Sequence, residues 1–254
     1  MKKTILIIIL FALCVSISSD GVTDKLRAVI AAKNAGGEEP PSGQAFSDDF
    51  TYSDGELESV SSGVWEKLTG SDSSVASGEF GIVDGSVYVY ATATDTVSQY
   101  AAIRRLTYDG YNGLYARQVA KDNATTLAYC LRGDQDANVV LRYCTGASCS
   151  TIHSITYTWT EIDDSIGLEV IGIDDATKWK IWIWDGQDPP ARASWGNCHH
   201  GVYITGQTAT TCDTSNTAVS DLGANYADTG KYLGIYSGGG STDLFDAWIG
   251  GDAE

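Results

Sequence analysis

Two acidic side chains are spaced so that they could act together on a glycosidic bond. Glu161 and Asp163 stand two positions apart, and alternate residues of a β-strand project from one face of the sheet. Retaining hydrolysis of a glycoside requires two carboxyl groups about 5 Å apart. Beyond Ser165 the next carboxylate, Glu169, would lie about 13 Å further along a strand. We therefore interpret this segment as an acidic turn, and we keep Glu161 and Asp163 as the candidates for a hydrolase.

Aromatic side chains form a second candidate site, because exposed Trp and Tyr rings can stack on sugars beside planar polar groups. Within the run from Trp179 to Trp184, alternation places Trp182 and Trp184 on the face opposite the isoleucines. The alternative is that these rings fill a hydrophobic core. The candidate ligand-binding residues are Trp182, Trp184, Trp195, Arg192, Tyr88 and Tyr90.

The cysteines predict two disulfides and one thiol. Cys14 lies in a segment that we expect to be removed, so five of the six cysteines remain and one of them lacks a partner. We favour a Cys198–Cys212 bond, which closes a loop of about 15 residues and contributes roughly 3 kcal/mol. For the second bond we favour Cys144–Cys149, which leaves Cys130 as a core thiol; a Cys130–Cys144 bond is the alternative.

A zinc site is the alternative to the Cys198–Cys212 disulfide. These two cysteines with His199 and His200 form an allowed set of zinc ligands. Adjacent side chains of an extended chain point apart, however, so the two histidines would not easily reach one ion. The disulfide is therefore the favoured interpretation.

The N-terminal residues predict export. Lys2 and Lys3 precede an apolar run from Ile5 to Ile17, which is typical of a secretory signal peptide and too short to span a bilayer. We place the signal peptide at residues 1–18 and a tether at 19–45, with helical spacing between Asp24 and Lys33. The protein should therefore be secreted, either extracellular or at the cell surface.

Charge and composition limit the partners and the fold class. The formal net charge is −17, which argues against nucleic acid because phosphate binding needs clustered Lys and Arg. There are 28 Gly, 14 Tyr and 7 Trp against one Met, which is typical of strands and turns. Short alternating segments recur through the body, and they predict an all-β protein with two antiparallel sheets packed as a sandwich.

One hairpin can be placed in register. Pairing that is symmetric about position 137 sets Cys130 opposite Cys144 and Arg132 opposite Arg142. The second pair is unfavourable, because like charges repel when they face each other directly.

Ordered fragments of residues 46–254 resemble the concanavalin A-like lectin and glucanase superfamily, in its LamG-like secreted form. The fragments are Phe46–Phe50, Gly63–Trp65, Gly78–Gly85, Gly113–Arg117, Asp164–Gly172, Lys180–Asp185, Asp228–Tyr236, Asp246–Trp248 and Gly251–Asp252. The resemblance implies a jelly-roll sandwich whose first and last strands lie close together. It also implies a carbohydrate-binding, adhesive or glycan-cleaving role.

The same resemblance implies one structural Ca²⁺ near the chain ends, and we expect no other cofactor. Asp48, Asp49, Asp246 and Asp252 could converge there, and carboxylates are ligands that calcium prefers. Glucanases of the superfamily carry a third carboxylate on the catalytic strand, but this chain has Ser165 and Ile166 at that point.

The sequence therefore predicts a secreted module that binds a glycan or a cell-surface polysaccharide without cleaving it. One alternative is a structural subunit of an appendage, matrix or particle, which self-associates through the tether or the unpaired cysteine. A glycoside hydrolase with an atypical site is the second alternative.

Overall fold

The computed structural model describes residues 44–106, 110–119, 127–134, 138–146, 148–159, 164–209, 211–223, 225–238 and 243–253. The chain divides into two units, Met1–Pro41 and Ser42–Glu254, and all described residues belong to the second. Glu161 and Asp163 lie outside the described residues, as do the predicted signal peptide and nearly all of the predicted tether. Ala45, which we had assigned to the tether, begins the first strand.

The described residues form seventeen strands, one short α-helix and two 3₁₀ helices, Asp174–Ala176 and Arg192–Ser194. The strands are β1 Ala45–Asp48, β2 Gly55–Glu56, β3 Trp65–Thr69, β4 Ser74–Ala76, β5 Glu79–Ile82, β6 Val87–Tyr90, β7 Gln99–Arg105, β8 Tyr111–Gln118, β9 Leu127–Asp134, β10 Asn138–Thr145, β11 Ser148–Thr156, β12 Ser165–Ile171, β13 Lys178–Trp184, β14 His200–Ile204, β15 Ser215–Val219, β16 Tyr232–Gly238 and β17 Asp243–Asp252, and the helix is α1 Leu57–Val60.

The strands form the predicted two-sheet sandwich. One sheet has ten strands in the order β15-β14-β13-β12-β7-β17-β5-β4-β2, with β1 also paired to β17, and the other has seven in the order β11-β10-β9-β8-β16-β6-β3. Pairing between the described strands is antiparallel except for β14 with β15. The first and last strands are neighbours, with Ala45 opposite Gly251, as the resemblance implied.

The core lies between the sheets and follows the alternation of each strand. In β12, for example, Ile166, Leu168 and Val170 are fully buried and face this core. The largest fully buried rings in the core are those of Trp65, Trp179 and Trp248. Each sheet carries a further group of buried side chains on its other face, and these outer faces hold the candidate sites.

The hairpin of β9 and β10 differs in register from the prediction. Cys130 lies opposite Arg142, and Val140 lies opposite Arg132. This register is shifted so that the two arginines no longer face each other directly. On the other side of β10, Cys144 lies opposite Cys149 of β11.

Both favoured disulfides are present, Cys144–Cys149 and Cys198–Cys212, and Cys130 is a buried thiol. Replacing both Cys198 and Cys212 by Ser should lower the free energy of unfolding by about 3 kcal/mol, because the unfolded chain regains the entropy of an open loop. Urea unfolding without reductant measures this loss. The Cys144 and Cys149 double replacement is the matched control, and its shorter loop predicts a loss of about 2 kcal/mol. An equal or larger loss in the control would contradict the loop-entropy explanation.

Candidate functional site

Four of the predicted ligand-binding residues meet on the outer face of the ten-stranded sheet: Trp182, Trp184, Trp195 and Arg192. We call the three tryptophans, together with Tyr100, the outer Trp cluster. The ring of Trp195 is centred 4.8 Å from that of Trp182 and 5.1 Å from that of Trp184. Gly167 makes this packing possible, because a Cβ there would lie 2.7 Å from Trp184.

The guanidinium of Arg192 lies over the rings of the outer Trp cluster. Its guanidinium carbon lies 4.8 Å from the centre of the Trp195 ring and 5.5 Å from that of Tyr100. It also forms an ion pair with Glu169, whose other oxygen is 2.7 Å from Lys180 Nζ. The two cations thus neutralise a carboxylate that is almost fully buried.

The outer Trp cluster is therefore largely satisfied by its own contacts. Trp182 and Trp195 are only 4% and 3% exposed, so neither offers a ring face to a ligand in this arrangement. Trp184 is half-buried and keeps part of its surface accessible. The segment between β13 and β14 packs onto the sheet through Trp195.

Tyr88 and Tyr90 project into the sandwich rather than toward a ligand. Tyr88 is fully buried, and its hydroxyl accepts a hydrogen bond from the Ser73 amide at 2.8 Å. Tyr90 is half-buried and its ring lies 5.0 Å from that of Trp248. Tyr88 and Tyr90 alternate with Val87 and Val89 along β6. Val87 lies on the outer face and Tyr88 in the core, where large rings fill the space between the sheets.

The outer face of the seven-stranded sheet carries a group of tyrosine and arginine side chains. We call Tyr111, Tyr115, Tyr236, Arg132 and Arg142 the outer Tyr face. They share this side because Leu114, Leu131, Leu141 and Ile235, at alternate positions of the same strands, face the core.

Close contacts hold the side chains of the outer Tyr face in place. The rings of Tyr115 and Tyr236 are centred 5.1 Å apart. The guanidinium carbon of Arg132 lies 4.1 Å from the centre of the Tyr111 ring, and Arg142 donates a hydrogen bond to the Cys149 carbonyl. Tyr111, Arg132 and Arg142 are half-buried, so solvent reaches part of each.

Protonation states on this face suit binding better than proton transfer. Burial raises the pKa of Tyr115 and of Tyr236 above the ordinary tyrosine value, and the nearby Cys130 adds to both shifts. Burial also raises the pKa of the Cys130 thiol to about 11. At neutral pH both hydroxyls and the thiol therefore stay protonated, which makes them neither bases nor nucleophiles.

The four aspartates expected to bind calcium do not converge. Asp48 lies opposite Trp248 in the pairing of β1 with β17, whereas Asp252 lies beyond the Ala45–Gly251 pair at the other end. Asp49 accepts a hydrogen bond from Thr51. Asp246 pairs with Arg104 at 3.1 Å.

Antiparallel pairing brings the two chain ends together but separates their carboxylates by about four residues, or roughly 14 Å. In their present positions, no three metal-ligating side chains of the described ranges form a complete metal site. Calcium binding remains a prediction without a site among those four aspartates.

Asp252 instead links the last described strand to Gln44 and to the segment before β7. Its carboxylate accepts hydrogen bonds from the backbone amides of Gln44 at 2.7 Å, Asp95 at 3.2 Å and Thr96 at 2.6 Å, and from the Thr96 hydroxyl at 2.9 Å. Asp48 is similarly enclosed: the Phe50 amide and the Trp65 indole each donate to it at 2.7 Å. Both carboxylates therefore act as acceptors for protein donors.

The sequence reasoning missed the outer Tyr face, although a signal for it was present. In Gly113–Arg117, Leu114 and Ala116 alternate with Tyr115, and both small apolar residues are fully buried. Applying the alternation argument to this segment would have placed Tyr115 on the outer face. The prediction instead favoured the tryptophans of the ten-stranded sheet.

No helix in the described part of the chain is long and apolar enough to cross a bilayer.

Comparison with known proteins finds similarity only at the level of structure. No family model matches the chain, and no curated protein matches it in sequence. A carbohydrate-binding module, CBM66 from Bacillus subtilis, is 12% identical, with 74% of this chain and 92% of that chain covered and a TM-score of 0.40. The Bacillus licheniformis β-glucanase is 9% identical, with 84% and 100% covered and a TM-score of 0.44.

A third similar structure is the exoplasmic/lumenal domain of VIP36, which is 11% identical, with 76% of this chain and 85% of that chain covered and a TM-score of 0.42. Similarity at this level carries no information about the ligand, which has to be argued from the residues of this chain.

Proposed function

We propose that this protein is a non-catalytic carbohydrate-binding module that holds a glycan on the outer Tyr face. The observation that carries the proposal is the grouping of the half-buried Tyr111 ring with two half-buried arginine forks on one face of the seven-stranded sheet. Apolar faces of sugar rings stack on aromatic rings, and sugar hydroxyls accept paired hydrogen bonds from a guanidinium. The rings of Tyr115 and Tyr236 lie on the same face but are buried.

The fixed positions of these side chains favour binding. Arg132 rests on the Tyr111 ring at 4.1 Å, and Arg142 is held by the Cys149 carbonyl. A side chain that is already ordered loses less conformational entropy when a ligand binds. The disulfide between Cys144 and Cys149 restrains the carbonyl that holds Arg142, so the covalent bond supports the position of the proposed ligand contact.

We place the module outside the cell. Two disulfides in a chain with a predicted signal peptide favour an oxidising compartment, since cytosolic thiols are kept reduced. Trp184 remains a second proposed contact, because it is the half-buried ring of the outer Trp cluster.

Replacing Arg132 or Arg142 by Ala should weaken glycan binding about tenfold or more, because each lost charged hydrogen bond costs on the order of 1.5–3 kcal/mol. A glycan array identifies the ligand, and titration calorimetry then measures the affinities. Arg104→Ala is the matched control: this arginine is also partly exposed but lies on the other sheet, where it pairs with Asp188 and Asp246. Its affinity should equal that of the unmodified protein.

Two results would contradict the proposal. The first is saturable glycan binding that both arginine variants retain in full. The second is binding lost in Trp184→Ala alone, which would move the site to the outer Trp cluster.

The alternative of a self-associating structural subunit stays a prediction. Cys130, the unpaired cysteine that this alternative uses, is fully buried, and burial raises its pKa. Self-association through the tether lies outside the described residues and remains a prediction. The hydrolase alternative depends on Glu161 and Asp163, which are also outside them.

A further inference from the structure

All three histidines of the chain lie together at one edge of the sandwich. His153 is on β11, the edge strand of the seven-stranded sheet, and His200 begins β14, next to the edge of the ten-stranded sheet. Ile155 and Val202, two positions further along each strand, face the core, so His153 and His200 both point into the space between the sheets. His199 precedes β14 and completes the group.

Two of the rings are in direct contact, and the third lies nearby. His199 Nδ1 and His200 Nδ1 share a hydrogen bond of 2.6 Å, and their ring centres are separated by 4.7 Å. The ring centres of His153 and His200 are 6.5 Å apart. Two imidazoles at tetrahedral positions on zinc have nitrogens roughly 3.3 Å apart and ring centres roughly 5 Å apart.

As they stand, the three rings do not yet surround one point, and no group of three ligands in the described residues is complete. Binding one ion would replace the hydrogen bond between His199 and His200, whose nitrogens would separate by under about 1 Å, and the His153 ring would approach that of His200 by roughly 1.5 Å. His153 and His199 are half-buried, so side-chain rotation can supply these movements.

We propose that His153, His199 and His200 bind one transition-metal ion, of the class of Zn²⁺, Ni²⁺ or Cu²⁺, which joins the edges of the two sheets. Imidazole nitrogen is the ligand that these ions prefer, whereas Ca²⁺ and Mg²⁺ prefer oxygen. With three protein ligands, a water molecule completes the tetrahedron. This site is separate from the outer Tyr face and does not depend on the proposed glycan binding.

The surroundings suit a cation. The carboxylates of Asp185 and Asp213 lie close enough to His199 to interact with it electrostatically. Tyr157 donates a hydrogen bond to Asp185, and Asn197 donates one to Asp213 at 3.0 Å, so both carboxylates are held in position. Negative charge that is fixed beside a ligand favours the bound metal.

Two neighbouring histidines were expected to point apart. That argument assumed extended backbone, but His199 lies before β14 begins, in a bend where its amide donates to the Ile181 carbonyl. The bend turns its ring toward that of His200. The Cys198–Cys212 disulfide fixes the backbone next to it, so the cysteines that could have ligated zinc hold the histidines in place.

Titration calorimetry with ZnCl₂ and NiCl₂, on the full chain without a polyhistidine tag, tests the proposal. We expect one equivalent to bind, a rise in melting temperature with metal, and no displacement by equimolar Ca²⁺. His200→Ala should abolish binding, and His153→Ala should weaken it at least about tenfold. Thr151→Ala, an exposed position on the same strand, is the matched control and should bind as the unmodified protein does.

Unchanged affinity in His153→Ala would overturn the proposal, and so would equal binding by a variant without any histidine, since that would reflect the acidic surface alone. If His200→Ala fails to fold, paramagnetic resonance of the Cu²⁺-loaded unmodified protein decides. Hyperfine coupling to three imidazole nitrogens supports the site, and fewer than three overturns it.

Discussion

Replacing Trp195 by Ala should lower the free energy of unfolding by about 3–5 kcal/mol, the range for loss of a buried Trp or Phe side chain. Trp195 is 3% exposed and contacts two tryptophan rings and Tyr100, at 5.4 Å between centres. Its indole also donates to the Pro190 carbonyl at 2.9 Å. The residue therefore anchors the segment between β13 and β14 to the sheet. Urea unfolding followed by circular dichroism measures the loss.

Trp184→Ala makes the same chemical change on a half-buried ring of the same cluster and should cost about half as much. Limited proteolysis gives an independent readout, because only the Trp195 variant should become cleavable between residues 185 and 198. A Trp195 variant as stable and as resistant as the unmodified protein would mean that this segment is held by other contacts.

Asp252→Asn should lower the free energy of unfolding by about 2–3 kcal/mol at pH 7, because hydrogen bonds to a charged acceptor contribute more than those to a neutral one. Burial by itself would raise the pKa of Asp252, but the amides of Thr96, Gln44 and Asp95 and the Thr96 hydroxyl lower it overall. A carboxyl with a lowered pKa stabilises the folded state above its unfolded value of about 3.9. This stabilisation is lost as the pH falls through the pKa that Asp252 has in the folded protein, which is lower than its pKa in the unfolded chain.

The difference in unfolding free energy between the unmodified protein and Asp252→Asn should therefore shrink as the pH falls below about 4. Asp48→Asn is the matched control with the opposite sign. Burial raises the pKa of Asp48 despite hydrogen bonds from Tyr52, Trp65 and Phe50. Ionisation of Asp48 therefore destabilises the folded state. The difference in unfolding free energy between the unmodified protein and Asp48→Asn should shrink as the pH rises. Parallel pH profiles for the two variants would contradict the assigned shifts.

The fold could be predicted because alternation is a local property. Segments such as Ile166–Ile173 and Trp179–Trp184 bury alternate apolar residues whatever their neighbours are, so the sequence alone predicts strands and a two-layer core. The Cys198–Cys212 disulfide could be predicted because the two cysteines are suitably spaced, and because five cysteines allow two disulfides and one thiol. The register of β9 with β10 was predicted wrongly, because it depends on pairing across strands. Cys144 lies opposite Ala128 on one side and Cys149 on the other, and a single hairpin does not contain that information.

The candidate sites were harder to predict because faces are chosen by tertiary packing. Alternation says that Tyr88 and Val87 point to opposite sides, but which side becomes the interior depends on the facing sheet. Trp182 lies on the outer face as expected, yet Trp195 returns from the loop that follows β13 to cover it. The histidine group has the same origin, since His153 and His200 belong to different sheets and meet only when the sandwich closes.

The pairing of β1 with β17 has a consequence for the order in which the molecule can be built. The last strand is not at an edge but lies between β7 on one side and β5 and β1 on the other, and the bond from Gln44 to Asp252 spans 208 positions. Because β17 follows the other sixteen described strands in sequence, the ten-stranded sheet cannot be completed until residue 252 has left the ribosome. The nascent polypeptide should therefore stay loosely structured until that point.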